Sequence, residues 1–148
     1  MSTQPSNPQE RVELRIRTMR TLWIAMLLSV GAYYAFALWK GRSENAVPNA
    51  TLSLILVCVA LSTTLISIFV KKTLIARAIE QQQVQLVQQA YIVAWAMCEV
   101  AAVLGILDFF VSGHRHFYIL FIIAAFGLLL HYPRREHVTN ASPKSPIR

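Results

Sequence analysis

AYIVAWAMCEVAAVLGILDFFV, residues 90–111, is a 22-residue apolar run interrupted only by two acids, Glu99 and Asp108. As a helix rising ~1.5 Å per residue it is about 33 Å long, enough to cross a hydrocarbon core of about 30 Å. Glu99 then lies near the midplane. A charged side chain there costs on the order of 2.5–3.5 kcal/mol on insertion scales. The run therefore makes this a membrane chain and makes Glu99 its first candidate for a site.

Three further apolar runs lie around it, at 21–39, 51–70 and 117–132. The four together fill about half the chain. They explain why 55% of the 148 residues are hydrophobic and only 14% charged, against roughly 25% charge in a soluble domain. The expected fold is all-α, a four-span transmembrane helical bundle in one membrane domain over residues 8–132. Residues 1–7 are expected to be a disordered N-terminus, and 133–148 a basic disordered tail. The first run is not expected to be a cleaved signal, because 20 residues precede it and no small-residue cleavage site follows it.

Charge sets the expected topology. The net charge of +7 would be compatible with nucleic acid, but the basic residues flank the runs, so no nucleic-acid partner is expected. Arg11, Arg15, Arg17, Arg20, Lys71, Lys72, Arg77, Arg134, Arg135, Lys144 and Arg148 fall on one side. Lys40, Arg42 and Arg115 fall on the other. The positive-inside rule then puts both termini in the cytoplasm. The basic flanks also favour anionic lipid.

Punctuation marks the elements. Asn7, Pro8 and Glu10 suit an N-cap, a first helical position and a third position, so one helix is expected from about Pro8 to about Trp39. Residues 40–50 hold Gly41, Asn45, Pro48 and Asn49 and read as a turn. Residues 71–89 contain no Gly, Pro, Asn or Asp. Spans two and three are therefore expected to run on as a helical hairpin that turns near 80–83. Cys58 and Cys98 both lie inside spans, so no disulfide framework is expected.

Beside Glu99, the residues Ala94, Cys98, Ala101, Ala102 and Gly105 form a small-residue stripe, which lets a neighbouring helix come close. Span two offers Ser53, Ala60, Thr64 and Ser67 at helical spacing. Thr63 and Thr64 fall within about one helical turn of Glu99 in depth, and Ser29 of span one lies at a similar level. These three hydroxyls are the candidate hydrogen-bond partners of the carboxyl. Withdrawal from water favours the neutral acid, so Glu99 is expected to be largely protonated and able to ionise when a polar path reaches it. The competing reading is an interhelical hydrogen-bond anchor. Asp108 is nine residues further on, about 180° around the helix, and is expected at the outer interface near Arg115 and the histidines.

Metalloprotease, P-loop, nucleophile-elbow and dinucleotide signatures are absent, so no catalytic residue is assigned and no enzyme is expected. His114 and His116 give two ligands, too few for a metal site, and no cofactor is expected.

The segment from Ala96 through Glu99 to Gly105 and Leu107 resembles the carboxylate helix of rotor-ring proteolipids, the c-type subunits of ATP synthases. Those proteins also join two helices by a polar cytoplasmic loop. The resemblance implies an ion-binding carboxylate at Glu99. The whole chain, with Tyr132, Pro133, Arg134 and Arg135 ending its last run, resembles the small uncharacterised four-span proteins of bacterial inner membranes. The expected role is a non-enzymatic inner-membrane subunit that binds a proton or cation, working in the bilayer with other membrane subunits or as a homo-oligomer. A structural or assembly partner is one alternative. A small proton-coupled transporter is another, although small multidrug transporters carry their membrane Glu in the first span.

Overall fold

The computed structural model describes residues 8–41, 49–112 and 116–142, with the side chains of Pro8 and Ser112 excepted. The expectations placed on 1–7, on Asn45 and Pro48, on His114 and Arg115 and on the last six residues lie outside the described residues. Within them the chain is helical: α1 (Pro8–Lys40), α2 (Ala50–Glu80), α3 (Val84–Leu107), α4 (Tyr118–Leu130) and α5 (Arg135–Asn140). A π-helical turn, Asp108–Ser112, continues α3.

Three helices, α1, α2 and α3, are long and apolar enough to cross a membrane. α4 is different. Its 13 residues reach only about 20 Å, less than the 16-residue run suggested.

α1 starts and stops near its expected limits. Gly41 ends it with φ 70°, a left-handed conformation that glycine reaches without Cβ strain. Asn49 caps α2, its side chain accepting from the Leu52 amide at 3.0 Å. α2 and α3 are joined by three residues only. Gln83 N–H bonds Ala78 O at 3.0 Å and Gln82 N–H bonds Ile79 O at 3.2 Å, the two bonds of a Schellman ending. The left-handed position, usually glycine, is Gln82 with φ 51°.

The interior is made of small residues. Ala60, Ala78, Ala90, Ala94, Ala101, Ala102 and Ala124 are fully buried, around Trp95, Tyr91, Met19, Leu120 and Leu128. The large aliphatic and aromatic side chains face outward: Leu28, Leu54, Phe69, Ile122 and Phe126 are each at least 60% exposed. Water would penalise that arrangement. Lipid does not, and between apolar helices in lipid the gain comes from close packing of small residues.

α3 is the central helix, with α2, α4 and α1 packed around it. Its whole stripe, Ala94, Cys98, Ala101, Ala102 and Gly105, is buried. α4 lies directly on it. A Cβ added at Gly105 would come within 2.8 Å of the Phe121 ring, and one at Gly127 within 2.8 Å of Cys98 Sγ and 2.9 Å of Thr64 Cγ2. The stripe is thus covered by the chain's own helices.

The expected disordered tail is corrected over 135–140. After Pro133 the chain turns and forms α5, with Val138 and Ala141 buried. A buried Pro133 and a hydrogen bond from Arg134 N–H to Tyr91 Oη at 3.1 Å hold the turn. Local charge made this segment read as solvated, while two apolar side chains three residues apart were enough to dock one short helix.

Candidate functional site: a carboxyl–hydroxyl pair between α1 and α3

Glu99 follows Cys98 by one residue, which is 100° of helix rotation. Cys98 faces α2 and α4, with Ser67 Oγ 3.8 Å from its sulfur. Glu99 is therefore turned toward α1. There it meets Ser29, whose Oγ is hydrogen-bonded to Glu99 Oε1. Glu99 is half-buried. Its exposed side opens onto an apolar face of α3 that includes Val100 and Val103.

Ser29 Oγ makes a second contact, to the Met26 carbonyl at 2.7 Å. A serine hydroxyl carries one proton. That proton can be donated to either of two acceptors, Glu99 Oε1 or the Met26 carbonyl. Met26 O lies inside α1, where the backbone already supplies it a donor, so the serine proton is free to serve the Glu99 carboxyl. A protonated carboxyl would instead donate to Ser29 Oγ, and the contact accommodates both forms.

The other candidate partners are elsewhere. Thr63 Oγ1 donates to Val59 O at 2.8 Å. Thr64 is buried, its methyl against α4 at Gly127, and its Oγ1 has no partner among the described residues. Depth placed all three hydroxyls near Glu99. Rotation separates them, because α2 packs on the Cys98 side of α3 and α1 on the Glu99 side.

Asp108 is fully buried, accepting from Ser53 Oγ of α2 at 3.0 Å; its expected neighbours His114 and Arg115 lie outside the described residues. The π-helical turn it opens adds a residue to the helix, and such turns recur at functional sites. Glu99 and Asp108 thus face different neighbours, α1 and α2.

A second buried polar cluster went unread in the sequence. His131, just past α4, is fully buried. Its Nε2 lies 2.7 Å from Ser67 Oγ, and Ser67 Oγ lies 2.6 Å from Thr64 O. With Ser67 donating to that carbonyl, the Nε2–H tautomer of His131 would donate to Ser67; the other tautomer would accept from it. Nδ1 has no partner among the described residues. The Trp95 indole N–H donates to His131 O at 3.0 Å, and the Trp23 indole N–H to Leu128 O at 2.8 Å. The only available signal was a histidine closing an apolar run at the level of the Ser67 end of the hydroxyl stripe.

At the hairpin end, Tyr91 Oη accepts from Arg134 N–H and lies 2.7 Å from His137 Nδ1. The phenol proton is placed to go to that nitrogen when the imidazole is neutral there. Burial pushes the imidazolium of His137 below its ordinary range. Lys71 and Arg134 push the same way, and Glu136 opposes them.

Among the described residues no three His, Cys, Asp or Glu side chains gather around a point that could hold a metal ion. No family model, curated protein or solved structure matches the chain.

Proposed function

We propose that this is a small non-enzymatic integral membrane protein, of the bacterial inner membrane, whose working group is the proton on Glu99. In this reading α4 is a fourth, short span, both termini are cytoplasmic, and the protein serves as a proton- or cation-binding membrane subunit. The observation that carries it is a carboxyl set inside an apolar helix bundle with a single hydroxyl partner, Ser29, and one open side. A neutral acid with one donated bond and one open side can release its proton when a polar group approaches from that side. This is the property a proton-binding subunit needs, and it agrees with the resemblance to rotor-ring proteolipids.

The stripe from Ala94 to Gly105 favours this over an assembly partner that docks other spans on that stripe, since α2 and α4 already occupy it. An assembly role through the exposed face beside Glu99 is the second reading, and a homo-oligomer would use that face. A small proton-coupled transporter is the third.

The test is proteoliposome proton exchange with the wild type and Glu99→Gln. The amide keeps a donor for Ser29 and cannot titrate. Loss of proton-dependent exchange in Glu99→Gln, with unchanged folding, supports proton binding. Unchanged exchange rejects it and leaves the carboxyl as an interhelical anchor.

A further inference from the structure

A cleft of about 440 Å³ runs along one face of α1 and is closed by the start of α5. It is lined by Glu13, Ile16, Arg17, Arg20, Thr21, Ile24 and Arg135. The α1 residues recur every three or four positions, so they form one face over three turns. That face changes character along its length. It is charged from 13 to 20 and apolar at Ile24, which is half exposed. The change falls where the apolar run begins, at Thr21. The cleft therefore straddles the level where a bilayer's headgroups meet its acyl chains.

Three arginines and one carboxylate line it. That carboxylate, Glu13, touches Arg135 at 3.5 Å with both side chains more than 60% exposed, so the pair is open to exchange. Arg20 is held over the Tyr132 ring, its guanidinium carbon 5.7 Å from the centroid. Planar guanidinium forks match phosphate oxygens two at a time. Neither Glu99 nor the His131 cluster contributes to this surface.

We propose that the cleft is a binding site for the headgroup of one anionic phospholipid. Its phosphate sits among Arg17, Arg20 and Arg135, and an acyl chain lies along Ile24. The lipid bridges α1 to α5 and replaces Glu13 as the counter-charge of Arg135. A lipid fits better than free phosphate because the site is half apolar and the apolar half lies on the membrane side.

The test is native mass spectrometry of the full chain in detergent, titrated with an equimolar mixture of phosphatidylglycerol and phosphatidylcholine of matched acyl chains. Wild type is expected to retain phosphatidylglycerol roughly tenfold better, as two or three basic groups at a surface allow. Arg17→Gln with Arg135→Gln should bring the two lipids near parity. Lys72→Gln with Arg77→Gln removes the same charge from exposed positions of α2 outside the cleft and should keep the preference. An equal loss in both double variants means bulk charge only and overturns the site. Binding of inorganic phosphate by the wild type with no preference between the lipids means a free-anion site and overturns the lipid.

Discussion

The indole N–H of Trp23 in α1 donates to the carbonyl of Leu128 in α4, across 105 positions of sequence, at 2.8 Å. Trp95 of α3 does the same for His131 O. Leu128 O also accepts from the His131 amide at 3.0 Å, so the Trp23 indole supplies its second bond at the end of α4, where carbonyls lack intrahelical partners. Two tryptophans from two other helices therefore end α4. Trp23→Phe keeps most of the ring and loses the donor. It is expected to lower stability by about 0.5–1.5 kcal/mol, since Leu128 O keeps its bond from the His131 amide, read as a lower midpoint of thermal unfolding in detergent. Trp39→Phe, at an 80% exposed position, should leave the midpoint in place.

Glu99 should be the principal target of hydrophobic carbodiimides, which partition into lipid and need the protonated acid. Peptide mapping is expected to find the label there rather than at exposed Glu13, Glu80 or Glu136, and Ser29→Ala is expected to change its extent. Labelling spread evenly over the exposed acids would remove the proton from the Glu99–Ser29 pair.

Gly127→Ala should destabilise by about 1–3 kcal/mol, the usual cost of overpacking, because its Cβ would lie 2.8 Å from Cys98 Sγ and 2.9 Å from Thr64 Cγ2. Adding Cys98→Ala and Thr64→Ser removes both obstructing atoms and should recover more than half of the loss. If the triple variant is less stable than the sum of its parts, α4 does not approach α3 this closely.

Gln82 occupies a left-handed position that costs a residue with a Cβ about 1 kcal/mol. Gln82→Gly should raise the unfolding midpoint slightly, and Gln82→Val should lower it. A fall with glycine would mean that the Gln82 side chain contributes more to the turn than its backbone costs.

The docking of α5 should depend on pH. His137 is docked neutral with its pKa below the ordinary 6.5, so the undocked form binds protons more readily. The stabilisation is complete above pH 6.5 and is lost as pH falls. Amide exchange over 135–140, corrected for intrinsic rates, is expected to be faster at pH 5 than at pH 7.5. His137→Gln should flatten that dependence. Equal protection at both pH values in the wild type would show that Tyr91 does not need a neutral imidazole.

Local periodicity carried much of this fold in the sequence. The limits of α1, the turn near 80–83 and the buried α2 positions Ser53, Ala60, Thr64 and Ser67 all follow from short-range spacing and punctuation. The partner of Glu99 does not. Spacing along α3 says which residues share its face, but not which helix lies against that face. Thr63, Thr64 and Ser29 were equal in depth, and only the packed order of α1, α2 and α4 around α3 separates them. The Ser53 partner of Asp108 was hidden for a related reason, since the approach of Ser53 belongs to the packed state. α5 was hidden because its docking rests on Val138, Ala141 and the Tyr91 hydroxyl, contacts that no run of residues announces.

The three-residue link between α2 and α3 also bears on how the molecule comes together. So short a loop loses little entropy on closing, and contacts close in sequence form early. The α2–α3 hairpin is thus the natural nucleus. It brings Thr64 and Cys98 together before α4 is complete and so builds the slot that Gly127 later enters. α4 is a late wedge, and its two tryptophan bonds can close only after it is seated. Any change that slows the seating of α4 would leave a half-built bundle with its slot open, a population visible as a slow refolding phase even when final stability is unchanged.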